Sequence, residues 1–142
     1  MCAIPVRLPF GDLLTAIENG EVGLSASFAA ILAGNVAHRN GAAGAGAETV
    51  SVFLQNVTTG NASYGVSGGF GAVVAFNTAR ENIGGGIYAG EACAVLANSA
   101  TGNGGWGIEL RPYAGFRKNV ALDNGIGGMT SGTAVNLSLN HQ

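Results

Sequence analysis

Apolar residues recur along this chain at a fixed spacing of 21 residues, and we call each set of positions related by that spacing a register. One register is large and apolar throughout: Leu32, Phe53, Val74, Val95, Phe116 and Leu137. Two positions before it lies a register of mostly small residues: Ala30, Ser51, Ala72, Cys93, Ala114 and Val135. A spacing of two is the period of a β-strand with one buried face. The pattern therefore predicts short strands whose alternate side chains form a continuous core.

Asparagine and glycine follow the same period. The first asparagine register comprises Asn35, Asn56, Asn77, Asn98 and Asn119, and continues to Asn140. The second comprises Asn19, Asn40, Asn61, Asn82, Asn103 and Asn124. The glycine register comprises Gly23, Gly44, Gly65, Gly86, Gly107 and Gly128. Because no insertion disturbs them, the chain from Leu14 to Leu139 forms six units of 21 residues, as expected for a repeat protein of stacked coils.

Stacking explains why these residue types repeat. Adjacent coils lie about 4.8 Å apart, so like residues of successive coils are direct neighbours. We expect each asparagine register to form a ladder of side-chain hydrogen bonds. The glycine register should mark a backbone position that needs either a positive φ or the absence of a side chain. A helical repeat is excluded, because Gly and Asn interrupt every unit after a few residues.

The motif N-x-A-x-x-N-x-x-x-G-I, present at residues 77–87 and 98–108, resembles the repeat of the right-handed parallel β-helix family, the pectate-lyase-like β-solenoids. The resemblance covers nearly the whole chain. It implies an all-β, single-stranded right-handed parallel β-helix of about six coils at residues 14–142. It implies little about activity, because the family includes polysaccharide lyases and hydrolases, sugar epimerases, phage tailspikes, adhesins and passive surface proteins.

The composition excludes several classes of protein. With 47% apolar residues and a net charge of −2 the chain is not disordered, and its 25 Gly do not follow the collagen period. Six Lys and Arg against eight Asp and Glu form no basic stripe, so no nucleic-acid partner is expected. No His or Cys has the spacing of metal ligands, so neither a metal nor another cofactor is expected. No apolar run is long enough to span a membrane.

The two ends of the array differ. Residues 1–13 break the pattern and contain Pro5 and Pro9, which cannot donate to a β-ladder, so an N-terminal capping segment is predicted there. The C-terminal end shows no such device, since a seventh unit begins after Leu139. An exposed sheet edge is a template for pairing, and we expect self-association through the C-terminal edge. The open alternatives are truncation of a longer protein and a cap of unrecognised type.

One polar cluster is the best candidate for a ligand site. It comprises Tyr88, Trp106, Glu109, Arg111, Tyr113, Arg117 and Lys118. Aromatic and guanidinium groups on an exposed rib suit a sugar. The alternative is an ordinary solvated loop in which Glu109 pairs with Arg111 or Arg117.

No catalytic residue is expected. The acids Glu18, Glu81 and Asp123 share one register, but two or three coils separate them, which is about 10 to 14 Å. That distance is too long for the carboxylate pair that cleaves a glycosidic bond. The Asp-Asp, Gly-His-Gly and Asn-x-Asp signatures of the pectin-degrading members of the family do not occur in the sequence.

The sequence favours a non-enzymatic structural β-solenoid that associates end to end or side by side. An extracellular, cell-surface or virion-surface location is favoured, although no signal peptide is visible. The alternative function is a carbohydrate-binding or carbohydrate-active β-helix fragment that uses the polar cluster, with a glycan as partner. A third function, ice binding, requires regular threonine rows, and no register holds Thr more than twice.

Overall fold

The computed structural model describes residues 14–130, 134–136 and 141. These residues form short strands and no helix, and each coil of the chain contributes one strand to each of three six-stranded parallel sheets. The protein is therefore an all-β parallel solenoid of about five turns, close to the predicted number of coils. The predicted capping segment, residues 1–13, lies outside the described residues.

The chain runs through three sheets in each coil, and we name them A, B and C in that order. Sheet A contains β1 (Thr15–Ile17), β4 (Val36–His38), β7 (Val57–Thr59), β10 (Thr78–Arg80), β13 (Ser99–Thr101) and β16 (Val120–Leu122). Sheet B contains β2 (Leu24–Phe28), β5 (Ala45–Thr49), β8 (Val66–Phe70), β11 (Ile87–Ala89), β14 (Trp106–Leu110) and β17 (Gly127–Met129). Sheet C contains β3 (Ile31–Ala33), β6 (Val52–Leu54), β9 (Val73–Ala75), β12 (Ala94–Leu96), β15 (Gly115–Arg117) and β18 (Val135–Asn136).

The predicted register is confirmed in every strand pair except one. Pairs such as Ala16 with Ala37 are 21 residues apart. In β18, however, Asn136 pairs with Phe116, a spacing of 20, so the expectation of an undisturbed register as far as Leu139 is wrong there. Just before this shift, the Thr130 hydroxyl accepts the Leu110 N–H, so a side chain replaces the backbone in the ladder. The expected inward place of Leu137 lies outside the described residues.

The core is a narrow column enclosed by the three sheets. Sheet C contributes its large register, in which Phe53 is 0% and Phe116 is 1% exposed. Sheet A contributes small residues to the same column, among them Ala79 and Ala100, both 0% exposed. Small side chains on one sheet leave room for phenyl rings from another, so the registers are complementary in size. The inward orientation predicted for the large apolar register is confirmed.

Each coil turns at three corners, and each corner has one residue with a left-handed backbone. At the corner between sheets A and B, φ lies between 53° and 66° at Glu18, Arg39, Gly60, Glu81, Gly102 and Asp123. At the corner between B and C, it lies between 50° and 66° at Ala29, Val50, Gly71, Ala92 and Tyr113. At the corner between C and A, it lies between 52° and 68° at Gly34, Gln55, Phe76, Ala97 and Lys118. A left-handed residue changes the direction of the chain directly after a strand; the next strand begins within three residues at the corner between sheets C and A, but only after a longer loop at the corner between A and B, as from Ile17 to Leu24.

The glycine register is needed for space and not for a positive φ, since its members have none. A Cβ at Gly44 would lie 2.7 Å from Asn61 Nδ2 and 2.8 Å from the carbonyl oxygen of Gly65. Of the two reasons expected from the sequence, the lack of room for a side chain is therefore the correct one. The glycine register and the second asparagine register repeat together because they are in contact.

Candidate functional site

The asparagine ladders predicted from the sequence are confirmed. Asn56 Nδ2 donates to Asn77 Oδ1 at 2.9 Å and to the carbonyl oxygen of Leu32 at 2.7 Å. Its Oδ1 accepts the backbone N–H and the side-chain amide of Asn35 at 3.0 and 2.9 Å. The second register makes the same bonds, for example from Asn61 to Asn82. Among the described residues, no buried side-chain nitrogen or oxygen lacks a hydrogen-bond partner.

The corner between sheets B and C, which has no asparagine register, makes the same kind of bond with smaller side chains. Ser51 Oγ accepts the Ala30 N–H at 3.3 Å and donates to the carbonyl oxygen of Ser27 at 3.3 Å. Cys93 Sγ contacts the carbonyl oxygen of Gly69 at 3.0 Å. Burial raises the pKa of the Cys93 thiol, which keeps the sulfur protonated as a donor. Both bonds join residues 24 positions apart, as the asparagine side chains do.

A cluster of four side chains lies on the outer face of sheet B, and we call it the tyrosine–arginine cluster: Tyr64, Tyr88, Glu109 and Arg111. The Tyr64 hydroxyl donates to Glu109 Oε2. Arg111 Nε donates to the Tyr88 hydroxyl at 3.1 Å, and Arg111 Nη2 lies 3.6 Å from Glu109 Oε1. The two tyrosine ring centroids are 5.5 Å apart with an interplanar angle of 53°. The cluster therefore links three successive coils through side chains alone.

Electrostatics and burial favour the neutral phenol at Tyr64. Burial, followed by the hydrogen bond to Glu109, raises the pKa of Tyr64 to about 12. The hydrogen bond to Tyr88 raises the pKa of Arg111 above its usual value. At neutral pH the cluster thus holds a phenol donor, a carboxyl acceptor and a guanidinium cation in fixed places.

Tyr64 was missed by the sequence analysis, although its register carries a signal. That register alternates aromatic residues with glycine: Tyr64, Gly85, Trp106 and Gly127. A Cβ at Gly85 would overlap the Tyr64 ring, and a Cβ at Gly127 would lie 2.5 Å from Trp106 Cζ3. Each ring therefore covers the glycine of the next coil, and the ring of Tyr64 reaches far enough to meet Glu109 two coils later.

The structure brings together only part of the predicted ligand site. Tyr88, Glu109 and Arg111 are in contact, and Glu109 pairs with Arg111. Tyr113 lies at the corner between sheets B and C and is 73% exposed. Arg117 ends β15 in sheet C, and Lys118 follows at the corner between C and A, so neither belongs to the outer face of sheet B. Trp106 is half-buried over Gly127.

A cleft borders the tyrosine–arginine cluster, and we call it the Tyr88 cleft. Its volume is about 520 Å³ and its lining is Gly69, Phe70, Tyr88, Gly90, Glu91, Arg111 and Pro112. Glycines bring the backbone to the surface between the two rings, while one cation and one carboxylate stand at its sides. The cleft is an open depression, so a ligand there would keep one side in solvent.

The outer face of sheet C differs in character, and we call it the apolar face. It consists of the outward residues of β3, β6, β9 and β12 with their flanking corner residues: Ala29, Ile31, Ala33, Gly34, Val50, Val52, Leu54, Gln55, Gly71, Val73, Ala75, Phe76, Ala92, Ala94, Leu96 and Ala97. None of them is charged. Ile31 and Phe76 are each 54% exposed, and Val73 is 41% exposed. The next coil ends the apolar face with Arg117 and Lys118.

No family model, no curated protein and no solved structure matches this chain. Within the described residues, no three His, Cys, Asp or Glu side chains are placed to hold a metal ion. In the same part of the chain there is no helix, and hence none long and apolar enough to cross a membrane.

Proposed function

We propose that the protein is a non-enzymatic structural module, a stiff β-solenoid that associates with other protein chains. The observation that carries the proposal is the apolar face. Four successive coils present no charge there, while they carry large exposed side chains such as Ile31, Val73 and Phe76. Contiguous exposed apolar patches on soluble proteins often mark sites of association.

The ladders support a mechanical role. Buried asparagines are bonded to the coils on both sides, and the backbone of each coil is bonded in the same directions. Bending such a rod strains many bonds at once, which suits a module that holds its shape under load. The likeness to the right-handed, pectate-lyase-like β-helix repeat, a family that includes adhesins and surface proteins, supports the proposed extracellular, cell-surface or virion-surface location.

The apolar face favours side-by-side association. End-to-end association through the C-terminal edge, the mode expected from the sequence, is the alternative. It concerns β16 to β18, where residues 131–133 and 137–140 lie outside the described residues. The two modes use different surfaces, so one substitution separates them.

Sedimentation of the full chain from about 1 μM to about 1 mM tests the proposal. We expect reversible association that Val73→Lys abolishes, because a charge would be buried at the centre of the apolar face. The matched control is Ser99→Lys, which places the same charge on an outward position of sheet A. A strict monomer over the whole range contradicts the proposal for this chain. Association that neither substitution changes identifies the end-to-end mode instead.

A second candidate function, carbohydrate binding, is favoured by the Tyr88 cleft. The apolar faces of a sugar stack on aromatic rings, and Tyr88 and Phe70 both line the cleft. Arg111 and Glu91 offer a donor and an acceptor for hydroxyl groups. Glu91 and Glu109 add negative charge near Arg111, so neutral sugars are favoured over acidic ones.

A glycan array with the full chain tests this candidate. We expect binding of a neutral glycan that Arg111→Met reduces at least tenfold and that Lys118→Met, at a distant corner, leaves unchanged. No bound glycan, or equal binding by both variants, removes the candidate. Release of reducing sugar ends from the bound glycan supports the carbohydrate-active alternative.

A further inference from the structure

The outward residues of the apolar face form two straight columns. The strands of sheet C pair with a constant spacing of 21 residues from β3 to β15, so no bulge bends either column. The first column contains Ile31, Val52, Val73 and Ala94. The second column contains Ala33, Leu54, Ala75 and Leu96. With coils about 4.8 Å apart, the four charge-free coils extend about 19 Å along the rod.

The sizes of these residues are complementary when the order of the coils is reversed. Coil one then faces coil four, so Ile31 faces Ala94 and Ala33 faces Leu96. Coil two faces coil three, so Leu54 faces Ala75, and Val52 faces Val73. Ile31 and Leu96 thus meet exposed alanines, Leu54 meets Ala75, which is 5% exposed within one copy, and the fourth pair joins two valines. Two sheets pack about 10 Å apart when their side chains interdigitate in this way.

From this pattern we infer that the apolar face is the contact surface of a symmetric homodimer, in which two copies of this chain pack sheet C on sheet C with their rod axes antiparallel. The inference rests on the proposed function and names its partner. The two-fold axis runs along the strands, between the second and third coils. Such a two-fold contact is isologous, so it closes at two copies.

The charges at the end of the face favour the antiparallel orientation over the parallel one. In the antiparallel dimer, Arg117 and Lys118 of the fifth coil lie beyond the partner's four charge-free coils and about 24 Å along the rod from the same residues of the partner. A parallel dimer would bring both pairs of cations to the same height along the rod, which is less favourable. The cations therefore specify the orientation and mark where the contact ends.

The size of the face predicts a weak dimer. Each copy offers four outward positions in each of four coils, fewer than the roughly 20 to 30 residues per partner of a standard interface. We expect dissociation at low micromolar concentration, so the measurements below use concentrations up to about 1 mM.

A double-mutant cycle at Ala33 and Leu96 tests the inference. The two residues lie three coils apart in one copy but face each other across the dimer. Ala33→Leu and Leu96→Ala should each weaken dimerisation at least fivefold, and the double variant should recover most of the loss, because the large and small side chains have exchanged places. In a parallel dimer the leucine introduced by Ala33→Leu would face Ile31, and the double variant would be the weakest of the three.

Spin-label distances give a second readout that does not depend on affinity. Gln55→Cys and Lys118→Cys occupy the same register, in a chain with Cys2→Ser and Cys93→Ser. The antiparallel dimer separates the labels along the rod by about 5 Å at position 55 and about 24 Å at position 118. Equal distances at the two positions overturn the antiparallel arrangement.

The outcomes separate the inference from the proposed function. Dimerisation that is lost in Val73→Lys, with recovery in the double variant, supports both. Association without recovery in the double variant overturns the homodimer described here and leaves the structural role standing. A full chain that is monomeric at every concentration overturns both.

Discussion

At the scale of single residues, the corners show that backbone conformation and residue type are only loosely linked in this protein. Glu, Arg, Gly and Asp occupy the same left-handed position between sheets A and B. Only glycine adopts this conformation without a steric cost, which for other residues is about 1 to 2 kcal/mol. The ladders and the core must supply that energy in every coil. The positions of glycine in the sequence therefore did not reveal the corners, because most of the left-handed corner positions hold a residue other than glycine.

Val50 is the most strained of these residues, because it is β-branched and has a φ of 50°. We expect Val50→Gly to raise the free energy of unfolding by about 1 kcal/mol, since relief of strain exceeds the entropy that glycine adds to the unfolded chain. Thermal unfolding of dilute monomer measures the change.

The reverse substitution at another corner is the control. Gly60 has a φ of 66°, and the atom nearest to an added Cβ would lie 3.5 Å away, so a methyl group meets no clash. Gly60→Ala should lower the stability by about 1 kcal/mol through backbone strain alone. If both variants lower the melting temperature, the corner residues are not strained in the way described.

Because of Tyr64, we expect the stability of the protein to fall at alkaline pH. Its pKa of about 12 lies above the ordinary value of 10.0, so folding favours the protonated phenol. The stabilisation is complete below pH 10 and is lost as the pH rises from 10 to about 12. Tyr64→Phe should be less stable at neutral pH and should lose less stability over that interval.

Tyr113→Phe is the matched control for this titration, because Tyr113 is 73% exposed. Urea unfolding at pH 9, 10 and 11 compares the two variants with the parent chain. A parent chain and a Tyr64→Phe variant with parallel pH profiles would show that folding does not raise the pKa of Tyr64.

At the scale of elements, the ladders determine how the strands are placed. Each strand has only two to five residues, too few to be stable by itself, and buried asparagines such as Asn56 bond to the coils on both sides. The sequence predicted these ladders because an amide can both donate and accept, so one residue type serves every coil. The sequence did not predict that Ser51 and Cys93 make the corresponding bond at the corner between sheets B and C, because the register that contains them has no constant residue.

Asn82 and Asn124 test the ladder at a buried and at a partly buried position. Asn82 is 1% exposed and accepts two hydrogen bonds from Asn61. Asn124 accepts the same two bonds from Asn103 but is only partly buried, so water can replace it. Asn82→Leu should therefore cost at least about 3 kcal/mol, and Asn124→Leu about 1 to 2 kcal/mol less. Denaturant unfolding measures both, and equal losses would contradict the ladder.

At the scale of the whole molecule, the solenoid sorts chemistry by face. Sheet A and its corner with sheet B carry Glu18, Arg39, Arg80, Glu81 and Asp123, and Arg39 pairs with Glu18. Sheet B carries the tyrosine–arginine cluster, and sheet C carries the apolar face. Because every strand pairs only with strands of neighbouring coils, and the bond from Tyr64 to Glu109 is a side-chain exception, the stability of the rod is close to a sum over coils. Charged and apolar columns can then coexist without disturbing one another.

Removal of one coil tests this additivity. Deletion of residues 36–56 joins Asn35 to Val57 and keeps every register in phase, so we expect a folded, shorter solenoid with a slightly lower melting temperature. Deletion of residues 36–55, one residue fewer, shifts the following strands relative to β1 to β3 and turns core side chains outward. We expect the second variant to be far less stable. Circular dichroism and thermal unfolding distinguish them, and equal stability would refute the register argument.

The sequence by itself determined the stacked coils, the ladders and the inward registers, because a constant period in parallel coils forces like residues to lie above one another. It could not determine which outward side chains meet. The contact of Tyr64 with Glu109 depends on a ring that leans across two coils, and the separation of Arg117 and Lys118 from Arg111 depends on a corner made by Tyr113. Only the tertiary structure decided these points, since the left-handed corners, which many residue types occupy, assign each outward residue to its face.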